Sequence, residues 1–539
     1  MELNAIKACG VHGFSPEDVF ANQWVFSEND ALDPQGFDKL SLRNWTLYYG
    51  QALKFTEMRD AKDRLFGVFV GIGVDPDGAI ISAESFKQFN TRSKGFLEAF
   101  EAFINYTGGR FTAVIDTGTY QRAYFDAVAH MTSFYNPRTR LLAASVFLTL
   151  DRDVEYDPMF ASEHIATSKL PDDVEKNFIL GHSLDHETKF CLPSHYFDLD
   201  GFALHRIWPL PDSFPKAEPR EYDVIIAKLV SRLREITVAL VDNYECVLPI
   251  SGGTDSRKLL AVLAGHHHKV KEFFCFEHTK YAVHDAAAGE YLAKILDIPF
   301  TRYHPDHAKA AFGRDKMNAR NRSRKYWLRT SRVALPTAPV RTDLARLQPE
   351  GAVHLRGNVM DLTRAIWWRS FANRQEKLEL GLENEIGSLF LMAEPSKEIV
   401  DKWTPEYLAW KNALPQSAQD IVYDFIFLEL FLHVSSTKYY AFDKNFYINP
   451  FSDRRLIELT FQLPVDVRFG RVVNEKFIGL ADPRLSNLPY RGGVRDLVRR
   501  GIFTPRTYDK QGNELTPAKL HPLHTPRNDA LSWEDVAGE

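Results

Sequence analysis

The chain has 539 residues, 45% of them hydrophobic and 25% charged, with a formal net charge of −5. That length suggests two or three domains with ample core, and the composition is that of a soluble globular protein. The negative balance argues against general nucleic-acid or membrane-surface binding, no run approaches the ~18 apolar residues of a membrane span, and no signal-peptide pattern opens the chain, so a cytoplasmic protein is expected.

The first ~210 residues read as strand-rich. Leu65–Val74, a turn at Asp75–Gly78 and a second apolar run, Ala79–Ser82, give a hairpin signal. Phe111–Ile115 and Leu141–Ser145 add strands, and Phe96–Ile104 has helical spacing. The Pro-rich stretch Trp208–Pro219 has the composition of a linker. An amphipathic helix follows from near Tyr222 to Asp242. Beyond it, strands and helices alternate: a strand at Val247–Ile250, a strand at Glu272–Phe276, a helix at Asp285–Leu296 and a strand at Thr301–His304. This alternation predicts a parallel, doubly wound sheet with a ligand site at its switch point. Residues 310–440 are mostly helical by pattern, and the tail after ~505 reads as loosely ordered. Cys9, Cys191, Cys246 and Cys275 form no Cys-x-x-Cys pair, and buried free thiols are expected.

Within the alternating part, Val247–Leu263 reads VLPISGGTDSRKLLAVL, a strand, a glycine turn and a helix. Gly252 and Gly253 let the backbone turn sharply and approach a ligand without Cβ clashes. Backbone N–H groups and two hydroxyls then face an anion at a helix N-terminus. Asp255 would be destabilised beside bare phosphates, and makes sense if it holds a Mg²⁺ that bridges them.

Ser-Gly-Gly-x-Asp-Ser resembles the pyrophosphate-binding loop of the ATP pyrophosphatases. Gly108–Asp116 followed by Ala123–Asp126 resembles central strands of the class II glutamine amidotransferase fold. Leu192–Asp200 is similar to the segment that ends that domain in asparagine synthetases, and Asn449–Glu458 to a C-terminal segment of the same family. Together these stretches resemble the asparagine synthetase-like amide ligases, a group that includes β-lactam synthetases and lasso-peptide cyclases. The resemblance implies an α/β chain of three parts: a degenerate Ntn-hydrolase-like (glutaminase-like) α+β domain at 1–210, a synthetase domain at 211–505 with a doubly wound ATP-pyrophosphatase sheet and a helical C-terminal part, and a tail at 506–539.

It also implies a reaction. A substrate carboxylate attacks the α phosphorus of ATP, giving an acyl-adenylate and pyrophosphate, and an amine or ammonia then displaces AMP. The acid would be a small molecule or a peptide, in the making of a specialised metabolite, a modified peptide or a glycan. A homodimer is compatible with this class. Carried onto the loop, Ser251, Gly252, Gly253 and Ser256 would bind pyrophosphate, Asp255 would bind Mg²⁺, and Ile250 and Phe276 would flank the adenine. Arg257 adds charge near the phosphates or is a solvated first-turn arginine. The family's second signature matches Leu355–Leu362 in part. Gly357 and Asp361 fall on matching positions, Asp361 as second metal ligand, while Asn358 replaces a glutamate and cannot act as a general base. Arg356 and Arg364 flank this stretch and could hold a carboxylate or phosphate. No lysine stands where the family has its C-terminal one; Arg491 is the nearest replacement and Lys476 the runner-up. Trp367 and Trp368 fit a pocket wall or the core.

Three alternatives stay open. Ala8–Gly13 resembles the Cys-Gly start of working glutaminases, so processing before Cys9 would give a glutamine-dependent amidotransferase. No oxyanion segment is visible, however, and Phe89-Asn90-Thr91 stands where a glutamine-binding acid is expected. A tRNA-modifying ATP pyrophosphatase and a non-catalytic family member are the others.

Overall fold

The computed structural model describes the chain except residues 29, 31, 161–177, 314–315, 333–337, 375–376, 379–380, 393, 443, 510–512, 525 and 527–539. Among the described residues it is a mixed α/β structure with two six-stranded antiparallel sheets, one five-stranded parallel sheet and three two-stranded antiparallel ribbons.

The two six-stranded sheets stack face to face. Trp24, Phe26, Trp45 and Leu47 of one meet Val68, Val70, Val114 and Phe197 of the other. Alternation along Gly108–Asp116 explains how one strand serves two layers. Val114 points into that interlayer, while Phe111, Ala113 and Ile115 pack on the other side beneath Phe96 and Phe100 of the helix Phe96–Asn105. The expected hairpin is only half formed. Leu65–Val74 is a full strand, but its second arm shrinks to one bridge, Val74 to Ile80. Ser82 already caps a 3-10 turn at Ala83–Phe86, which ends the pairing.

The Pro-rich connector is docked rather than free. Trp208 and Phe214 are buried, and Trp208 Nε1 donates to Glu458 Oε1 at 2.9 Å. The helix Tyr222–Asn243 then leads into the parallel sheet. Its strands are β1 (Cys246–Pro249), β2 (Glu272–Phe276), β3 (Thr301–Tyr303), β4 (Val353–Leu355) and β5 (Phe446–Ile448), in the order β3-β2-β1-β4-β5. The order reverses at β1, where β2 lies on one side and β4 on the other. Both faces are covered: Leu248, Phe273 and Val353 join the main core, while Val247 and Phe274 pack on the opposite side. That two-sided burial is why the strands read as continuous apolar runs.

The antiparallel and parallel parts are fastened through the segment after β5. Gly109 N donates to Ser452 O at 2.8 Å, Ser452 Oγ to Asp126 Oδ1 at 2.9 Å, and Arg232 pairs with the buried Asp453 at 2.9 Å. The tail is better ordered than its composition suggests. Phe503–Thr504 pairs with Lys519–Leu520, Arg506 N donates to the buried Glu290, and His524 Nε2 shares a 2.6 Å hydrogen bond with Tyr291 Oη. Residues 527–539 lie outside the described residues. All four cysteines are buried and free. No helix among the described residues is long and apolar enough to cross a membrane.

Burial holds several imidazoles neutral. His433 is pulled down from 6.5 to about 3, and His130 and His354 also lie well below 6.5. A depressed folded value means that the unfolded chain takes up protons first, so stability is full above pH 6.5 and is lost as pH falls below it. Neither ring nitrogen of His433 has a hydrogen-bond partner among the described residues, so leucine can replace it without orphaning a described polar group. His433→Leu should therefore lose about 1 kcal/mol less stability than the parent between pH 7.5 and 5.5 in urea titrations. Equal losses would contradict a buried neutral imidazole.

Candidate active site

β1 ends at Pro249, and the ladder continues one residue further through Ile250 N to Phe274 O at 2.8 Å. The chain then turns through Ser251–Gly253 into the helix Thr254–Val262. The loop is tied to itself: Ser251 N donates to Ser256 Oγ at 3.1 Å, the two hydroxyls share a 3.1 Å bond, and Gly253 N reaches Ser251 Oγ at 3.3 Å. Gly253 is the N-cap and no side chain caps the helix among the described residues, so the first-turn N–H groups face outward as anion donors.

Close approach explains both motif glycines that the structure makes irreplaceable. A Cβ on Gly252 would stand 2.6 Å from Arg491 Cβ and 3.0 Å from Ala288 Cβ, and Gly252 O accepts from Arg491 N at 3.3 Å. A Cβ on Gly357 would stand 2.8 Å from Asp255 Cβ. Gly357 follows β4 and opens a 3-10 helix, Asn358–Arg364. The two sequence signatures are thus in contact, because β1 and β4 are neighbours and both motifs lie at their C-terminal ends.

Charge is concentrated here. Arg364 donates to Asp255 Oδ2 at 2.9 Å and also pairs with Asp361. Burial, and then the neighbouring charge of Asp255, push the Asp361 carboxyl upward. Lys258, fully buried one helical turn after Asp255, bonds Thr363 Oγ1, and burial pulls its ammonium down to about 8. Asp255 Oδ1 is buried and has no hydrogen-bond partner among the described residues. A buried carboxylate oxygen without a partner fits a hard cation such as Mg²⁺, which takes one or two carboxylates and completes its shell with phosphate oxygens. The protein alone offers less: no group of three or more His, Cys, Asp or Glu able to hold a metal occurs among the described residues.

The remaining candidates divide. Arg491 lies at the loop, with its guanidinium 3.5 Å from Asp285, whose other oxygen accepts from Gly252 N at 3.3 Å. Lys476 instead pairs with Asp223 at 3.1 Å, in the first turn of the helix Tyr222–Asn243. Arg257 is neither solvated nor at the loop mouth. It is fully buried, donates to Leu488 O and Pro489 O at 2.7 and 2.9 Å, and lies 4.0 Å from the Tyr490 ring. At the first turn of this helix its side chain faces inward, so it anchors the segment that carries Arg491. The Ile250 side chain is also in the core, while Phe276 stays partly exposed at the end of β2 beside Phe274 and Tyr303. Trp367 and Trp368 are core: Trp367 packs 4.6 Å from Phe427 and Phe431, and Trp368 Nε1 donates to Asp424.

Two site residues escaped the sequence reading. Lys258 carried a signal, a lysine on the buried face of an otherwise apolar helix. Asn449 was visible only as part of a segment without an assigned role. It is fully buried, and with its amide in the orientation that its neighbours dictate, the nitrogen donates to Arg356 O at 2.9 Å and the oxygen accepts from Asn358 N and Val359 N at 3.0 Å. It fixes the turn that carries Gly357 and Asn358.

Cys9 lies inside the helix Asn4–His12, is fully buried, and burial pushes its thiol up to about 11. Leu3 and Ala5 before it are core residues, and Asn4 N donates to Leu150 O at 2.7 Å. Cleavage before Cys9 would remove packed structure. Asn90 and Thr91 belong to a cluster around the buried Asp60, which accepts from Thr91 and Arg64.

Comparison with protein-family models gives no match, and comparison with curated proteins gives none.

Removing the Asn449 carboxamide would strand three backbone groups of the Arg356–Val359 turn, and such a group costs roughly 1–3 kcal/mol where it is buried and unsatisfied. Asn449→Ala should speed amide exchange at Asn358 and Val359 by at least tenfold while the antiparallel sheets keep their protection. Unchanged exchange at those two amides would remove Asn449 from the site.

Proposed function

We propose that the chain is an ATP-dependent amide ligase. It would activate a substrate carboxylate as an acyl-adenylate, with pyrophosphate as the other product, and transfer the acyl group to an amine. In this reading the antiparallel part is a degenerate glutaminase-like domain and the parallel part an ATP-pyrophosphatase-like domain. The observation that carries it is the contact between Gly357 and Asp255, which joins the Ser251–Ser256 loop to the Asn358–Arg364 turn at adjacent strand ends.

Chemistry supports the assignment of roles. Ser251, Ser256 and the N–H groups of the first helical turn would cradle the departing pyrophosphate, and Arg491 beside Gly252 would add positive charge as negative charge moves onto it. Asp255 and Asp361 would hold Mg²⁺, which supplies charge neutralisation for the phosphates. Arg364 already bridges the two carboxylates, so it would hold Asp255 and Asp361 in place and present its remaining N–H groups to the reacting carboxylate or the α phosphate. Lys258, held beneath the pair, would offset their charge from below. Asn358 can donate hydrogen bonds but cannot take a proton, so the attacking amine would arrive neutral. In this reading the buried Arg257 and Ile250 side chains act as packing rather than as ligand contacts, and Arg491, not Lys476, supplies the charge at the loop.

ATP–pyrophosphate exchange over a panel of small acids and peptides tests the reading. Asp255→Ala should lower exchange by roughly 10²–10⁴ with the fold intact, and Asp361→Asn should impair the same step. Near-normal exchange in a folded Asp255→Ala variant would remove the loop from the chemistry. The buried Cys9 thiol adds a second expectation: incubation with glutamine should release no glutamate above background, and intact-mass analysis should find the chain starting upstream of Cys9. Glutamate release abolished by Cys9→Ala would instead make the N-terminal part a working glutaminase.

A further inference from the structure

A cavity of about 880 Å³ lies at the other end of the parallel sheet. Glu350 and Gly351, which lead into β4, and Lys444 to Phe446, which lead into β5, form part of its wall. It therefore opens at the N-terminal ends of these strands, whereas Ser251–Ser256 and Gly357 sit at the C-terminal ends. Its other walls are the connection Gln51–Lys54 between the two antiparallel sheets and the helix Lys316–Thr330.

The wall is cationic out of proportion to the chain. Seven Lys and Arg side chains line it against three carboxylates, in a protein whose net charge is −5. With Asp343, which pairs with Arg322, counted beside Glu17, Asp18 and Glu350, an excess of three positive charges remains. Glu350 is taken by Lys444 at 2.7 Å, and Arg322 pairs with Asp343 at 3.1 Å. The buried Arg110 donates to the carbonyls of His130 and Tyr447 at 3.0 and 3.3 Å. Carbonyl oxygens satisfy its N–H groups without neutralising it. Arg346 lies 4.4 Å from the Phe312 ring, and Lys325 5.4 Å from the Phe14 ring. Lys54 and Lys325 have no ion pair among the described residues. They come from different parts of the wall, Lys54 from the antiparallel part and Lys325 from the helix Lys316–Thr330. Positive charges held together in a concave, partly dry site repel one another, and an anion between them removes that repulsion.

We propose that this cavity binds a compact polyanion, a small molecule carrying several phosphate or carboxylate groups, between Lys54 on one wall and Lys325 and Arg346 on the other. The volume is that of a small-molecule site. The negative charge on the rest of the chain disfavours an extended nucleic acid. The inference rests on the cavity and its charge and is independent of the ATP reading.

Lysine acylation read by peptide mass spectrometry tests it residue by residue. At constant ionic strength, tripolyphosphate or citrate should slow acylation of Lys54 and Lys325 at least fivefold and leave the exposed Lys62 and Lys294 unchanged. Protection by tripolyphosphate alone identifies a phosphate ligand, and by citrate alone a carboxylate ligand; either supports the site. Lys325→Glu should weaken the protecting anion at least tenfold, measured by protection of Lys54, and Lys54→Gln should weaken it measured at Lys325. No protection by either anion, equal protection of all four lysines, or protection unaffected by both variants would overturn the proposal.

Discussion

Everything at the candidate active site depends on two carboxylates that the fold forces together. Because β1 and β4 are neighbours at the reversal of strand order, the loops that follow them must share one crevice. Gly357 packs against Asp255 with no room for a side chain, and Asp361 arrives on the same short helix. Two partly buried aspartates would repel each other strongly in this environment. The chain answers with Arg364 between them and Lys258 beneath them. The result is a preassembled group of opposite charges with one carboxylate oxygen, Asp255 Oδ1, left without a partner among the described residues. That arrangement suits a ligand that brings both a cation and phosphates, and this is the physical basis for reading the crevice as a nucleotide site.

The antiparallel part has a role in this account even without a reactive cysteine. It is bonded to the segment after β5 through Gly109, Asp126 and Arg110. The same segment carries Asn449, whose carboxamide holds the turn at Arg356–Val359. The antiparallel part on one side of Asn449 and the Arg356–Val359 turn on the other are joined by one chain of hydrogen bonds.

Much of this was legible in the sequence, and the exceptions follow physical lines. The long strand Leu65–Val74, the helix Tyr222–Asn243 and the β1-loop-helix unit are strongly periodic or glycine-marked and were read close to their bounds, while the strand Gly108–Asp116 was read by pattern only over its apolar middle, Phe111–Ile115. The second hairpin arm at Ala79–Ser82 was not, because a Ser82 cap competes with strand pairing and nothing local decides between them. The tail looked loose by composition, yet Arg506 and His524 find long-range partners in Glu290 and Tyr291. Arg257 illustrates the general limit. Its position in the motif suggested the phosphates, but which way a first-turn side chain points is set by packing against Leu488–Tyr490, more than 200 residues away in sequence. Arg364 was visible as a candidate anion binder; that it would clasp the two aspartates was not, because tertiary contact alone brings Asp255 and Asp361 to it.

Hydrogen–deuterium exchange with and without Mg²⁺ and ATP tests the central claim most directly, since it needs no knowledge of the acid or the amine. If the two signatures form one nucleotide site, residues 250–257 and 357–364 should gain protection together and at the same ATP concentration. Protection of one segment without the other, or of neither at saturating ATP, would contradict the account.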